Sequence, residues 1–114
     1  MSFCSPIATE LGKVVEAVAA EHCRRLKLEL EPNTETQLFY WKNTRHEIDI
    51  VINIFQKPLP IEVKYKDKID PRDLAGLEYF AREYKVPIRI AITKQKLGLD
   101  GNTIMIPLWL FLLI

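Results

Sequence analysis

The stretch His46-Glu47-Ile48-Asp49-Ile50-Val51-Ile52-Asn53-Ile54, with Pro60-Ile61-Glu62-Val63-Lys64-Tyr65 close behind it, decides the fold of this chain. Both segments alternate with period two, the signature of a strand. In the first, Ile48, Ile50, Ile52 and Ile54 are expected on one face, and Glu47, Asp49, Val51 and Asn53 on the other. In the second, Ile61, Val63 and Tyr65 oppose Glu62 and Lys64. Only Gln56-Lys57-Pro58-Leu59 and a neighbour or two lie between them, so the runs are expected to pair as an antiparallel hairpin whose loop exceeds two residues. Such a hairpin sets Asp49 and Glu62 on neighbouring strands, with Lys64 two residues along on the same side.

That placement has a chemical meaning. Two carboxylates about 4 Å apart, at an effective dielectric of about 20, repel by roughly 4 kcal/mol, and a fold keeps them together only if something offsets the repulsion. A divalent cation does so, and Mg²⁺ takes one or two carboxylates while leaving positions for water and phosphate oxygens. The ion acidifies its bound water and stabilises charge on a scissile phosphate, and a neighbouring lysine can orient that water. Asp49, Glu62 and Lys64 are therefore the candidate catalytic residues, Mg²⁺ or Mn²⁺ the candidate cofactor, and phosphodiester hydrolysis the expected chemistry.

Upstream, residues 6–26 favour helix. Leu11, Val14, Val15, Val18 and His22 recur at helical spacing and are expected to form its buried side, with the small Gly12, Ala19, Ala20 and Cys23 on one flank. Glu16 falls among those small residues, which let a helix approach a sheet closely, and is the candidate third acid for the metal. Residues 28–37 read as a short extension and a loop. Leu38-Phe39-Tyr40-Trp41-Lys42 is rich in strand formers and turns at Asn43-Thr44 into the strand of Asp49. Downstream, Asp70 as N-cap, Pro71 at the first helical position and Asp73 two residues on start a second helix with an inward stripe of Leu74, Leu77, Ala81 and Tyr84. Pro87 ends that helix, Ile88–Thr93 reads as a strand parallel to the one before the helix, and Asp100-Gly101 turns into a short strand at Thr103–Ile106.

The resulting order is a helix, a three-stranded antiparallel meander, a crossover helix, a parallel strand and a short C-terminal strand or tail, all in one α/β domain over residues 1–114. The Asp49 to Glu62-Val63-Lys64 spacing resembles the signature of the PD-(D/E)XK nuclease-like superfamily, which has a restriction-endonuclease-like core. Phe39-Tyr40-Trp41-Lys42, Glu47-Ile48-Asp49-Ile50-Val51 and Pro60-Ile61-Glu62-Val63-Lys64-Tyr65, with the closing Ile106-Pro107-Leu108-Trp109-Leu110-Phe111-Leu112, more closely resemble the nuclease-like domain at the C-terminus of archaeal and bacterial AAA-type ATPases. Gly12-Lys13-Val14-Val15-Glu16 looks like that family's first-helix motif, whose Glu contributes to the metal site. The resemblance implies a Mg²⁺-dependent nuclease acting on DNA, with Glu16, Asp49 and Glu62 as metal ligands, and it implies an ATPase partner. No GxxxxGK[ST] motif occurs, so the chain carries no ATPase module of its own.

Net charge is +1 with 27% charged residues, so DNA affinity has to come from a local patch. Lys64, Lys66, Lys68 and Arg72 form the candidate patch, with Lys42 and Arg45 near it, diluted by Asp67, Asp70 and Asp73. Lys66, Lys68 and Arg72 are the candidate nucleic-acid contacts. Glu47 shares the face expected for Asp49 and is a candidate supporting residue, while His22 and His46 read as structural. Cys4 and Cys23 show no metal or disulfide spacing and read as inert free thiols. No export signal is visible, which places the protein in the cytosol. The apolar run 106–114 is too short for a bilayer and is expected to pack on the sheet, any uncovered part favouring a homodimer. Two rival readings keep the fold: a catalytically silent DNA-binding or protein-docking accessory domain, and an endonuclease related to Holliday-junction resolvases.

Overall fold

A computed structural model describes residues 6–33 and 37–114. Helix α1 (Pro6–Leu30) precedes strands β1 (Leu38–Lys42), β2 (Glu47–Ile54) and β3 (Lys57–Lys64). A one-turn 3-10 segment (Pro71–Leu74) leads into α2 (Ala75–Tyr84), followed by β4 (Arg89–Thr93), β5 (Gly98–Asp100), β6 (Thr103–Pro107) and the four-residue α3 (Leu108–Phe111). The strands form a single mixed sheet in the order β1-β2-β3-β4-β6-β5. The meander is antiparallel, β3-β4-β6 are parallel, and β5 folds back antiparallel onto β6. The α/β order expected from the sequence holds, with β5 added at the far edge.

Two apolar layers sandwich the sheet. Ala19 and Cys23 of α1 pack with Ile50, Ile52, Ile61, Ile92, Ile106 and Phe111 on one face. Leu74, Leu77, Phe80 and Ala81 pack with Ile48, Val51, Ala91 and Met105 on the other. Each such Ile or Leu taken from water contributes about 1.5–3 kcal/mol.

The buried stripe of α1 differs from the one expected. Leu11, Val14 and Val18 stay exposed, whereas Val15, Ala19, His22 and Cys23 face inward. Ala19 and Cys23 are the helix residues packed in the layer against the sheet, and their small size permits a close approach. The helix also continues past Leu26 to Leu30, stabilised at its end by a 3.0 Å pair between Lys27 and Glu31 one turn apart. Cys23 is a buried free thiol whose pKa burial pushes up to about 12, in keeping with an inert role. Cys4 lies outside the described residues.

The β2–β3 connection is tighter than expected. Ile54 pairs directly with Lys57, leaving Phe55 and Gln56 as a two-residue turn with φ of 51° and 66°. This left-handed geometry matches the twist of a hairpin, and the Phe55 amide donates to the Glu31 carboxylate at the end of α1. The second helix opens as expected: the Arg72 amide donates to Asp70 (2.9 Å), and the Asp70 amide to Asp73 (2.9 Å). It closes at Lys85 in the left-handed conformation, φ 54°. Phe80 takes the inward position expected of Tyr84, which is exposed.

Strict alternation along β2 fails at one point, and that point matters. Phe39 pairs with Val51 and Trp41 with Ile48, so Asp49 and Ile50 together face Tyr40. This β-bulge reverses the side-chain phase. Ile48 therefore packs toward α2 while Ile50 and Ile52 pack toward α1, instead of sharing a face.

Candidate functional site

The bulge positions the candidate acids. The β2–β3 register runs from Ile54↔Lys57 to Ile50↔Ile61 and is not continued at Asp49. Side chains take over from the backbone ladder there. The Val63 amide donates to Asp49 Oδ2 (2.9 Å), and the Asp49 amide donates to Glu62 Oε1 (3.3 Å). Asp49 and Glu62 thus cross-link the two strands where they part. The pair expected from the sequence is brought together.

Glu62 is 94% buried by its 6% residual exposure, an unusual state for a carboxylate. Burial first, then the hydrogen bond and charge of the Asp49 carboxyl, raise its pKa far above the usual range, with Lys64 and the Asp49 amide opposing. With no cation bound, burial beside Asp49 therefore favours the protonated form of Glu62.

Glu16 is placed differently. It stands on an exposed position of α1, and partial burial followed by the charges of Asp49 and Glu47 raises its pKa. Along β3, Ile61 and Val63 belong to the α1-side layer, so alternation turns Glu62 and Lys64 toward the α2 side. Asp49 sits between, with Glu16 on the α1 side of it. Among the described residues no three His, Cys, Asp or Glu side chains converge tightly enough to form a ready-made metal cluster. The expected trio is thus a close pair, Asp49 and Glu62, with Glu16 standing off from it. A pair remains a sufficient donor set for Mg²⁺, which retains several waters.

Lys64 ends β3, and its charge acts on both Glu62 and Glu16. Glu47 and Tyr40 complete the surround. The Tyr40 hydroxyl donates to Glu47 Oε2, and that acid pushes the Tyr40 pKa up to about 12. Tyr40 is 58% exposed, so it lies at the rim of the site, whereas Trp41 packs edge-on against Phe80 with centroids 5.2 Å apart. Neighbouring aromatics of one strand thus take different roles, because successive side chains of a strand point to opposite faces.

The expected nucleic-acid contacts divide. Lys66 pairs with Asp73 at 2.7 Å and Arg72 with Asp70 at 3.5 Å, whereas Lys68 is exposed and forms no ion pair with a described residue. Lys42 and Arg45 flank the β1–β2 turn, where the Asn43 side chain accepts from the amides of Arg45 and His46. His46 lies against Tyr79 with centroids 5.1 Å apart, and His22 sits edge-on to Phe111 at 4.9 Å, so both contribute to packing.

In the C-terminal run, Ile106 and Pro107 complete β6, Phe111 is buried, and Leu113 and Ile114 are exposed. No helix among the described residues is long and apolar enough to cross a membrane.

Together the fold and its opened corner define an α/β domain with a mixed six-stranded sheet and a cross-strand carboxylate pair. The chain belongs to the family described as Domain of unknown function (DUF4143), which matches residues 11–111. No curated protein and no solved structure matched it.

Proposed function

We propose that this domain is a Mg²⁺-dependent, PD-(D/E)XK-type nuclease acting on DNA, with a restriction-endonuclease-like arrangement of its core. The observation that carries this reading is the cross-strand pair: a buried Glu62 and a bulge-presented Asp49, hydrogen-bonded to each other's strands. An apolar fold gains nothing from a buried acid whose closest partner is a second acid. It gains a cation site. Asp49 and Glu62 would hold the ion, with Glu16 reaching it through water or on a shift of α1. When bound, the ion supplies an acidified water and charge neutralisation at the scissile phosphate. Lys64, at the end of β3, would orient the attacking water and balance the charge that develops on the phosphate. Tyr40 fixes the Glu47 carboxylate at the rim, the supporting role considered for Glu47.

The cytosol is the compartment this reading assigns. The resemblance to the C-terminal domain of AAA-type ATPases makes an ATPase the partner that would deliver DNA, and exposed Leu113 and Ile114 offer a contact for a second copy. The test is cleavage of labelled duplex, single-stranded and four-way-junction DNA with Mg²⁺ or Mn²⁺. Loss of cleavage in Asp49→Asn and Lys64→Ala is expected. DNA binding in EDTA with no cleavage under either metal would replace this reading with the accessory-domain one, and cleavage confined to junctions would point to a resolvase.

A further inference from the structure

The parallel pairing of β3 and β4 sets Lys64 opposite Thr93, so both strands finish at the same edge of the sheet. The loops that leave them are neighbours. The first carries Lys66, Asp67 and Lys68; the second carries Lys94, Gln95 and Lys96. Two contacts shape this edge. A 3.6 Å pair between Lys94 and Asp67 links the loops, and the buried Thr93 hydroxyl donates to the Lys96 carbonyl (2.7 Å), which pins the second loop as a turn. Lys96 then lies along β5, its Cε 3.8 Å from where a side chain at Gly98 would begin.

The acids at this edge are largely engaged. Asp73 holds Lys66, Asp67 holds Lys94, and Asp70 serves the 3-10 turn and Arg72. Lys68 and Lys96 are exposed and make no ion pair with a described residue, one from each loop. The positive charge left over therefore faces solvent from two neighbouring loops, linked by the Lys94–Asp67 pair, that leave the strand ends beside Lys64. The C-terminal ends of parallel strands are where open α/β sheets present ligand sites.

We propose that Lys68 and Lys96, from the two loops that the Lys94–Asp67 pair links, form a backbone-binding rail for duplex DNA that carries it past the Asp49–Glu62 pair. The contact is to phosphates and is indifferent to base sequence. The choice of DNA rests on the proposed function, but the rail itself is tested without any catalysis. Fluorescence anisotropy with a labelled duplex of about 20 base pairs, in EDTA and across about 50–200 mM salt, reads it directly.

The double variant K68A/K96A is expected to bind about tenfold more weakly at the lower salt and to reduce the slope of log affinity against log salt by about 2, one phosphate contact per lysine. The matched control K57A/R82A removes two cations at the opposite end of the sheet and is expected to change neither quantity. Both substituted pairs are exposed, and thermal melts check that both variants fold. An unchanged slope in K68A/K96A, an equal change in the control, or no duplex binding by the wild type overturns the rail. Cleavage that persists while K68A/K96A binds normally removes the rail and leaves the nuclease reading intact. Lost binding in K68A/K96A from a protein that never cleaves does the reverse.

Discussion

The β2–β3 hairpin engages one glutamate at each end, and the two are treated in opposite ways. At the turn end, Glu31 meets Lys27 at 3.0 Å and accepts the Phe55 amide, and these contacts hold its pKa below the usual carboxylate range. At the open end, Glu62 meets another acid, and its pKa is driven up. One end carries its own counter-charge within the fold, so its acid is structural. At the other end no ion pair forms among the described residues, Lys64 acting on Glu62 through its charge alone, and on the proposed reading this leaves a place for a charge that arrives from outside.

The sharpest way to break this contrast is to remove the acids at the open end. Glu62→Gln and Asp49→Asn are each expected to lower DNA cleavage by at least about 100-fold, beyond what loss of a supporting hydrogen bond around a metal does, without loss of fold. Retained cleavage in single-turnover assays would make the open end as structural as the closed one.

At the turn end, Lys27→Met strips Glu31 of its cation and is expected to lower the thermal midpoint by several degrees while leaving metal binding unchanged. Glu62→Gln should do the opposite in metal-free buffer and raise the midpoint, because a neutral amide spares the fold the cost of burying and protonating an acid there. Differential scanning calorimetry of the two variants side by side decides whether the signs differ.

The pH dependence follows from the same pair. The folded chain keeps the Glu62 proton up to about pH 9, whereas the unfolded chain releases it near the ordinary 4.5. The native state thus binds more protons across that window, and this contribution to stability, complete below it, is lost as pH rises. Urea titrations in EDTA should show the decline, and Glu62→Gln should flatten it. Mn²⁺ displaces the proton, so its stabilisation should be larger at about pH 8 than at about pH 5.

The smallest expected effect lies in the turn itself. Phe55 and Gln56 both adopt left-handed conformations that Asn and Gly take at lower cost. Phe55→Asn with Gln56→Gly should stabilise the fold by about 1 kcal/mol and leave the open end untouched. A chemical melt with no gain would show that the Phe55 ring offsets its backbone strain.

Much of this architecture could be read from residue order alone. Period-two runs located β2 and β3, the Asp70-Pro71-Asp73 start located the second helix, and the spacing of Asp49 and Glu62 brought them onto adjoining strands. The tight turn could not be read, since Phe55-Gln56 has none of the Asn or Gly that marks such geometry and depends on Glu31, far away in sequence. The bulge was equally hidden: the string Glu47 to Ile54 alternates apart from Val51, and the extra residue exists only relative to β1. The stripe of α1 was misjudged because large apolar residues outweighed Ala19 and Cys23, although closeness of approach decided the packing. Glu16, expected among the small residues of the same helix, stands at an exposed position on the α1 side of the acid pair. Lys96 gave no signal because it belongs to a turn defined by a buried threonine.

The sheet's outermost strands, β1 and β5, span only five and three residues. A chain this dense in isoleucine, valine and leucine runs a hazard of fibril growth, because an unpaired backbone ladder invites a neighbouring molecule to extend it. Brief flanking strands give such an intruder little length to grip, and the irregular step beside β1 spoils the flatness that stacking needs. The feature that sets Asp49 beside Glu62 thereby also helps a crowded solution of this protein resist turning into aggregate.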